Sequence, residues 1–231
     1  MNDHYQHNLE TVSGLIESAA KRSERNIRDI TLMAVSKTHP IESILKLAEC
    51  GQTLFGENRV QEIEQKFSKK FQHIKLHMIG HLQSNKVKKA VALVDAIDSV
   101  DSLALARRIG QESVKIGKIM PILIEYNTSN ESSKAGFNNE LEYFSFLDQV
   151  GSIDGVRVGG LMTVGPLGGD ESALRKAFSY LRELRERSRT AHPELDFNIL
   201  SMGMSQDFSI AIEEGSTLVR IGTALFGARN Q

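Results

Sequence analysis

One cysteine, Cys50, is all the thiol that this chain of 231 residues possesses. An internal disulfide is thereby excluded, and so is a metal site built from several thiolates. No apolar run approaches the roughly 20 residues of a transmembrane helix. Met1 to Glu10 is polar and has no apolar centre of a secretory signal. Neither sign of charge dominates: 28 Lys and Arg stand against 29 Asp and Glu, a net charge of -1. That balance argues against a nucleic-acid binder or a protein drawn to anionic membranes, and leaves only local basic patches for such contacts. Repeats, low-complexity tracts and linker-like segments are missing too. With 40% hydrophobic and 25% charged residues, the composition is ordinary for a folded protein. The expectation is a cytoplasmic protein, one domain over residues 1–231, large enough for a substantial core.

What is present is an alternation. Residues 8–25 read as a helix, with Leu9, Val12, Leu15, Ile16 and Ala19 on one stripe. Strands are then expected at 31–36, 52–58, 75–80, 94–100, 119–126, 156–163, 197–201 and 217–221. Helices are expected between them, at 41–48, 60–70, 85–93, 102–115 and 140–150, and in a long segment lined by Leu174, Ala177, Phe178, Leu181 and Leu184. Strands alternating with helices imply a parallel sheet. Eight such units in 231 residues fit a closed (β/α)8 TIM barrel with an extra N-terminal helix. An open doubly wound sheet is the alternative, but the glycine-rich dinucleotide fingerprint is absent after the first strand. In a barrel every loop that follows a strand lies on one face. Lys37, Asn58, His81, Met162, Ser201 and Arg220 would gather there.

Lys37 follows an apolar strand, and Pro40 stops that strand and suits the first turn of the next helix. A lysine so placed is costly unless paired, neutral or covalently used; it can also snorkel out at the strand end. Two late segments bear on it, 200–207 and 218–227. Each ends a strand, carries a glycine and a hydroxyl residue, and is expected to open a helix, as an anion cradle does. After strands seven and eight of a barrel such cradles bind phosphate; tight turns without a ligand use glycine in the same way. A lysine facing a phosphate site suits a phosphorylated carbonyl compound held as a Schiff base. Pyridoxal phosphate (PLP) and an aldolase sugar phosphate both remain open at this point.

Other residues attract blander readings. His77 and His81 are four apart, but Met78 stands where a zinc helix needs glutamate, and Gly80 opposes a helix. They are expected as pocket or core histidines, and no metal is assigned. Cys50 is expected to be a buried, inert thiol. Arg182, Arg185, Arg187 and Arg189 are read as a solvated helix face. Lys134 is read as a surface lysine, although it could reach the rim.

Several segments carry a resemblance: Ala34-Val35-Ser36-Lys37-Thr38; Phe55-Gly56-Glu57-Asn58 with Val60-Gln61-Glu62; and His77-Met78-Ile79-Gly80-His81-Leu82-Gln83-Ser84-Asn85-Lys86. Further on come Gly160-Leu161-Met162-Thr163, Ser201-Met202-Gly203-Met204-Ser205 with Asp207, and Gly215-Ser216-Thr217 ahead of Val219-Arg220-Ile221-Gly222. In this order, from Ile30 to Gly227, they resemble the pyridoxal phosphate homeostasis proteins, single-barrel relatives of the alanine racemase amino-terminal domain. The resemblance implies a fold-type III-like PLP barrel with the cofactor on Lys37. It further implies phosphate contacts from Ser201, Gly222 and Thr223, Arg220 near the pyridine nitrogen, and Asn58 and Met202 lining the pocket. One departure is Leu76-His77-Met78, where relatives show Trp-His-Phe; this chain has no tryptophan.

The role implied is intracellular PLP buffering or delivery, with apo PLP-dependent enzymes as recipients, a monomeric state and no catalytic residue. Arg220 agrees with that role, because a permanent positive charge disfavours the protonated pyridine that makes PLP a good electron sink. An amino-acid racemase is the rival. The chain ends soon after the eighth strand, so no second domain is expected to supply the opposing acid or base such an enzyme needs. A Schiff-base aldolase is the second rival.

Overall fold

Each expected strand forms within its apolar run: β1 (Thr31–Val35), β2 (Leu54–Glu57), β3 (Lys75–Met78), β4 (Ala96–Val100), β5 (Met120–Glu125), β6 (Val156–Met162), β7 (Ile199–Ser201) and β8 (Leu218–Ile221). The computed structural model describes residues 3–67, 71–129, 131 and 134–227. In it the strands lie parallel in sequence order, and β8 pairs with β1 to close the barrel.

The helices are α1 (Asp3–Arg22), α2 (Ile41–Glu49), α3 (Val60–Lys66), α4 (Val87–Leu93), α5 (Leu103–Lys115), α6 (Glu140–Val150), α7 (Glu171–Ala191), α8 (Phe208–Glu213) and α9 (Thr223–Phe226). Side-chain caps explain several starts. Ser102, Asn139 and Asp170 each accept backbone N–H groups from the first turn of α5, α6 and α7.

Several boundaries differ from the expected ones, most of all in the helices. The first helix begins at Asp3, not at residue 8, and Asn8 donates its side-chain amide to the Leu225 carbonyl at 2.9 Å. The helix expected over 60–70 ends at Lys66, and residues 68–70 lie outside the described ones. The short helix expected from residue 85 starts as a 3-10 turn, Ser84–Lys86, before α4. Of the loop expected at 127–136, residues 130, 132 and 133 lie outside the described ones.

Apolar side chains are divided by strand alternation. One large cluster fills the space between barrel and helices, joining Ile44 and Leu47 of α2, Phe178 and Leu181 of α7, and Phe55, Ile97 and Ile122 of the strands. A separate small cluster of Met33, Leu54 and Leu218, with Ile79 and Ile199 against it, plugs the barrel interior. Register pairs Met33 with Arg220, so this plug ends where the charged interior begins. Among the described residues no helix is long and apolar enough to cross a membrane.

Candidate functional site

Strands β7, β8, β1 and β2 are successive neighbours in the closed sheet, so the residues past their carboxyl ends share one sector of the rim. Lys37 lies two residues past β1 and is half-buried. Pairing of Val35 with Gly56 carries Asn58, the residue after β2, to the level of Lys37. Pairing of Ala34 with Ile221 does the same for Gly222 and Val35. The approach is close: a Cβ on Gly222 would stand 3.3 Å from the Val35 carbonyl oxygen. Thr223, exposed, opens α9, whose first N–H groups have no intrahelical acceptor. The glycine and helix start expected here as a cradle thus lie on the strand beside that of the lysine.

The other cradle differs from expectation. Ser201 ends β7, but α8 starts only at Phe208, after a turn in which Asp207 accepts the Met204 N–H at 2.5 Å. Ser201 is therefore not at a helix terminus. It is fully buried, and its Oγ accepts a hydrogen bond from Arg220 Nη1 at 2.6 Å. Met202, one residue out of phase with Ser201, is buried in the large cluster between strands and helices.

Arg220 is itself buried, and Nη2 donates to the Thr163 carbonyl at 2.7 Å. Burial lowers its pKa, opposed by the charges of Asp98, Glu125 and Asp207. Its direct hydrogen bonds thus go to neutral oxygens, with the acids acting at longer range.

Three features escaped the sequence reading. Glu125 ends β5 only 8% exposed, and burial, then Asp101, push its carboxyl up to about 7 against the pull of Arg220. Asp98 on β4 accepts from His77 Nδ1 at 3.0 Å and leaves Oδ1 buried without a hydrogen-bond partner among the described residues. Burial would lower the His77 pKa, but Asp98 outweighs it and raises it. Lys66, Glu57 and Glu62 form a cluster against the backbone around Lys37. The available signal was a charge at an inward phase of an apolar strand, as in Ile124-Glu125 and Ile97-Asp98.

The remaining candidates fall as follows. His81 lies on the rim, its side chain 60% exposed and 3.3 Å from Asp101, beside a cavity of about 500 Å³ that Asn58, Arg59, Gln83 and Lys86 also line. Lys134 is no surface lysine: its side chain is 17% exposed, bound to Glu131 at 2.6 Å and to the Gly165 carbonyl at 2.8 Å. Cys50 caps α2 half-exposed, not buried, and burial with Glu49 and Glu10 raises its thiol pKa. Of the α7 arginines, Arg185 is mostly buried, while Arg182 pairs with Glu214 and Arg187 grips Glu140 with two hydrogen bonds.

Comparison with known proteins accords with this arrangement. Residues 3–230 match the family "Alanine racemase, N-terminal domain". The pyridoxal phosphate homeostasis protein of Vibrio cholerae is 37% identical over 230 residues, covering 97% of this chain and 96% of its own. The solved structure of PipY from Synechococcus elongatus with PLP bound is 34% identical, with a TM-score of 0.82 over 92% of this chain and 100% of that one. Alanine racemase from Clostridium difficile shares the fold at 16% identity, with a TM-score of 0.80 over 99% of this chain and 58% of that one. A lysine beside a rim cradle on a closed parallel barrel, with that family match and that identity over nearly the whole length, leads to one conclusion: the chain belongs to the pyridoxal phosphate homeostasis proteins, within the alanine racemase N-terminal domain family.

Proposed function

We propose that this chain binds PLP, holds its aldehyde as a Schiff base on Lys37, and stores the cytoplasmic cofactor or passes it to apo-enzymes without turning over amino acids. One observation carries the reading. Lys37 stands between Asn58 and the Gly222–Thr223 cradle, on adjacent strands, with a buried guanidinium in the barrel beneath. The relatives named for PLP homeostasis and the PLP-bound PipY support the same reading.

The residues fit the group chemically. Glycine at 222 leaves its backbone open to close approach, since even a methyl group there would press on the Val35 carbonyl. The α9 amides and the Thr223 hydroxyl can donate to a phosphate. Ser201 accepts from Arg220 through a lone pair and keeps its own proton for donation. PLP supplies an electron sink when its pyridine nitrogen is protonated. Arg220 faces that protonation with a fixed positive charge, which disfavours it.

The test is an absorption spectrum with PLP before and after borohydride reduction, followed by peptide mapping. The pyridoxyl group is expected on Lys37, and Lys37→Ala should lose the visible band while keeping the fold. Reduction product found mainly on Lys134 or Lys86 would overturn the assignment.

A further inference from the structure

Lys37 sits in a turn whose backbone is gripped from both sides. Lys66, the last residue of α3, has a side chain only 12% exposed. Its ammonium donates to the Ser36 carbonyl at 3.0 Å, to Glu57 Oε1 at 2.9 Å and to Glu62 Oε2 at 2.8 Å. Those three bonds use every donor an ammonium has. Both carboxylates then reach the same turn. Glu57 Oε1 accepts the Ser36 hydroxyl at 2.7 Å, and Glu62 Oε2 accepts the Thr38 N–H at 2.8 Å. The residues before and after Lys37 are thus tied to one cation, and the His39 N–H closes the turn on the Ser36 carbonyl at 3.1 Å.

The turn is also strained. Thr38 has φ of 69°, a left-handed conformation that a β-branched residue resists. Glycine would adopt it freely, yet threonine stands here, so the surrounding bonds must hold it. A plain stability role accounts poorly for the cluster. Buried ion pairs seldom exceed a hydrophobic replacement in stability, and burial raises the Glu57 pKa while Oε2 of that carboxylate has no hydrogen-bond partner among the described residues. Among the described residues, the side-chain hydrogen bonds that leave the cluster are made with Ser36 and Thr38: both donate to the carboxylates, and the Ser36 carbonyl accepts from Lys66.

We infer that Lys66, acting through Glu57 and Glu62, is a positioning residue that presets the Ser36-Lys37-Thr38 turn for attack by the Lys37 amine. This rests on the proposed role of Lys37, whose amine adds to the PLP aldehyde carbon while the aldehyde oxygen leaves as water. Preorganisation of a reacting group is a rate effect before it is an affinity effect. Lys66 therefore governs how fast the lysine reacts.

Lys66→Met, Lys66→Arg and Glu62→Gln variants test this with two readouts. Hydrogen exchange at the Thr38 amide in cofactor-free protein reports the clamp itself. Stopped-flow growth of the visible band on mixing with PLP reports the lysine. Lys66→Met should speed Thr38 exchange and slow band growth by about tenfold each, the scale of one lost charge-assisted hydrogen bond. Lys66→Arg should recover part of both, and Glu62→Gln, which leaves the Glu57 and Lys66 pair in place, should move the exchange in the same direction. Thr38 exchange and band growth within about twofold of the parent in Lys66→Met and Glu62→Gln would overturn the inference. If the parent protein gives no band with PLP, the Schiff-base reading fails by itself, and Thr38 exchange still decides whether the clamp exists.

Discussion

Within the barrel, Glu125 and Arg220 show how a single position takes its chemistry from its surroundings. Glu125 is drawn towards ionisation by Arg220, yet burial and Asp101 win and its carboxyl titrates at about 7 in place of 4.5. The sign follows directly. Between those two values the folded protein holds a proton that the unfolded chain releases, so stability falls as pH rises through this window. Above it, the charged form costs the fold about 3 kcal/mol. Glu125→Gln keeps the shape and removes the titration, at the loss of some attraction for Arg220. In urea unfolding of the cofactor-free protein, the variant should gain up to about 3 kcal/mol at alkaline pH and almost nothing at about pH 4. An equal gain at both would mean packing, not charge, sets the effect.

At the scale of elements, the β6 strand is placed by an irregularity. Val158 pairs with Ile122 but Gly160 with Leu123, so Gly159 is the extra residue of a bulge. Gly160 has φ of 152°, and a Cβ there would lie 1.9 Å from the Ile199 carbonyl oxygen of β7. Only glycine lets these two strands pair. The bulge precedes Thr163, whose carbonyl accepts from Arg220, and β7 carries Ser201 to the same guanidinium. Gly160→Ala should therefore lower the unfolding free energy by about 2 kcal/mol or more, the scale of a backbone conformation strained or overpacked. It should also weaken PLP binding. Denaturant unfolding and a PLP titration read the two effects, and a fully stable variant with intact binding would show that β6 and β7 can part without disturbing the site.

For the molecule as a whole, the proposed role of holding a cofactor without using it turns on Arg220. Arg220 is tied to Ser201 and Thr163, and the charges of Asp98, Glu125 and Asp207 oppose in part the lowering of its pKa by burial. If PLP binds as proposed, Arg220 would hold a positive charge on the pyridine side, which would disfavour protonation of that nitrogen and so weaken stabilisation of a substrate carbanion. We expect no solvent-deuterium incorporation at the α-carbon of amino acids at ordinary enzyme rates, about 1–10³ s⁻¹, even with PLP fully bound. Exchange of the lysine for an added amine would change the spectrum and would not count as turnover. Multiple turnovers, abolished in Lys37→Ala and seen by chiral analysis, would restore the racemase.

The alternation of strands and helices was legible in the chain, because period, caps and turn residues are local properties of a dozen residues at a time. So was the barrel, from eight such units in order, and so were the turn at Lys37 before Pro40 and the helix start at Gly222–Thr223, each of which is one stretch of sequence. The roles of Ser201, Met202, Lys66, Glu125 and Lys134 were not. Lys66 and the Ser36 carbonyl are 30 residues apart, and Arg220 and the Thr163 carbonyl 57. Ser201 and Met202 part company because adjacent residues of a strand face opposite sides, one towards the buried guanidinium and the other into the packing behind β7. Glu125 differs from any other glutamate only through burial and the charges of Asp101 and Arg220, which the segment after β4 and strand β8 deliver. Hydrogen bonds of this reach, and the field at a buried carboxyl, exist only once the barrel has closed and water has been excluded from its interior.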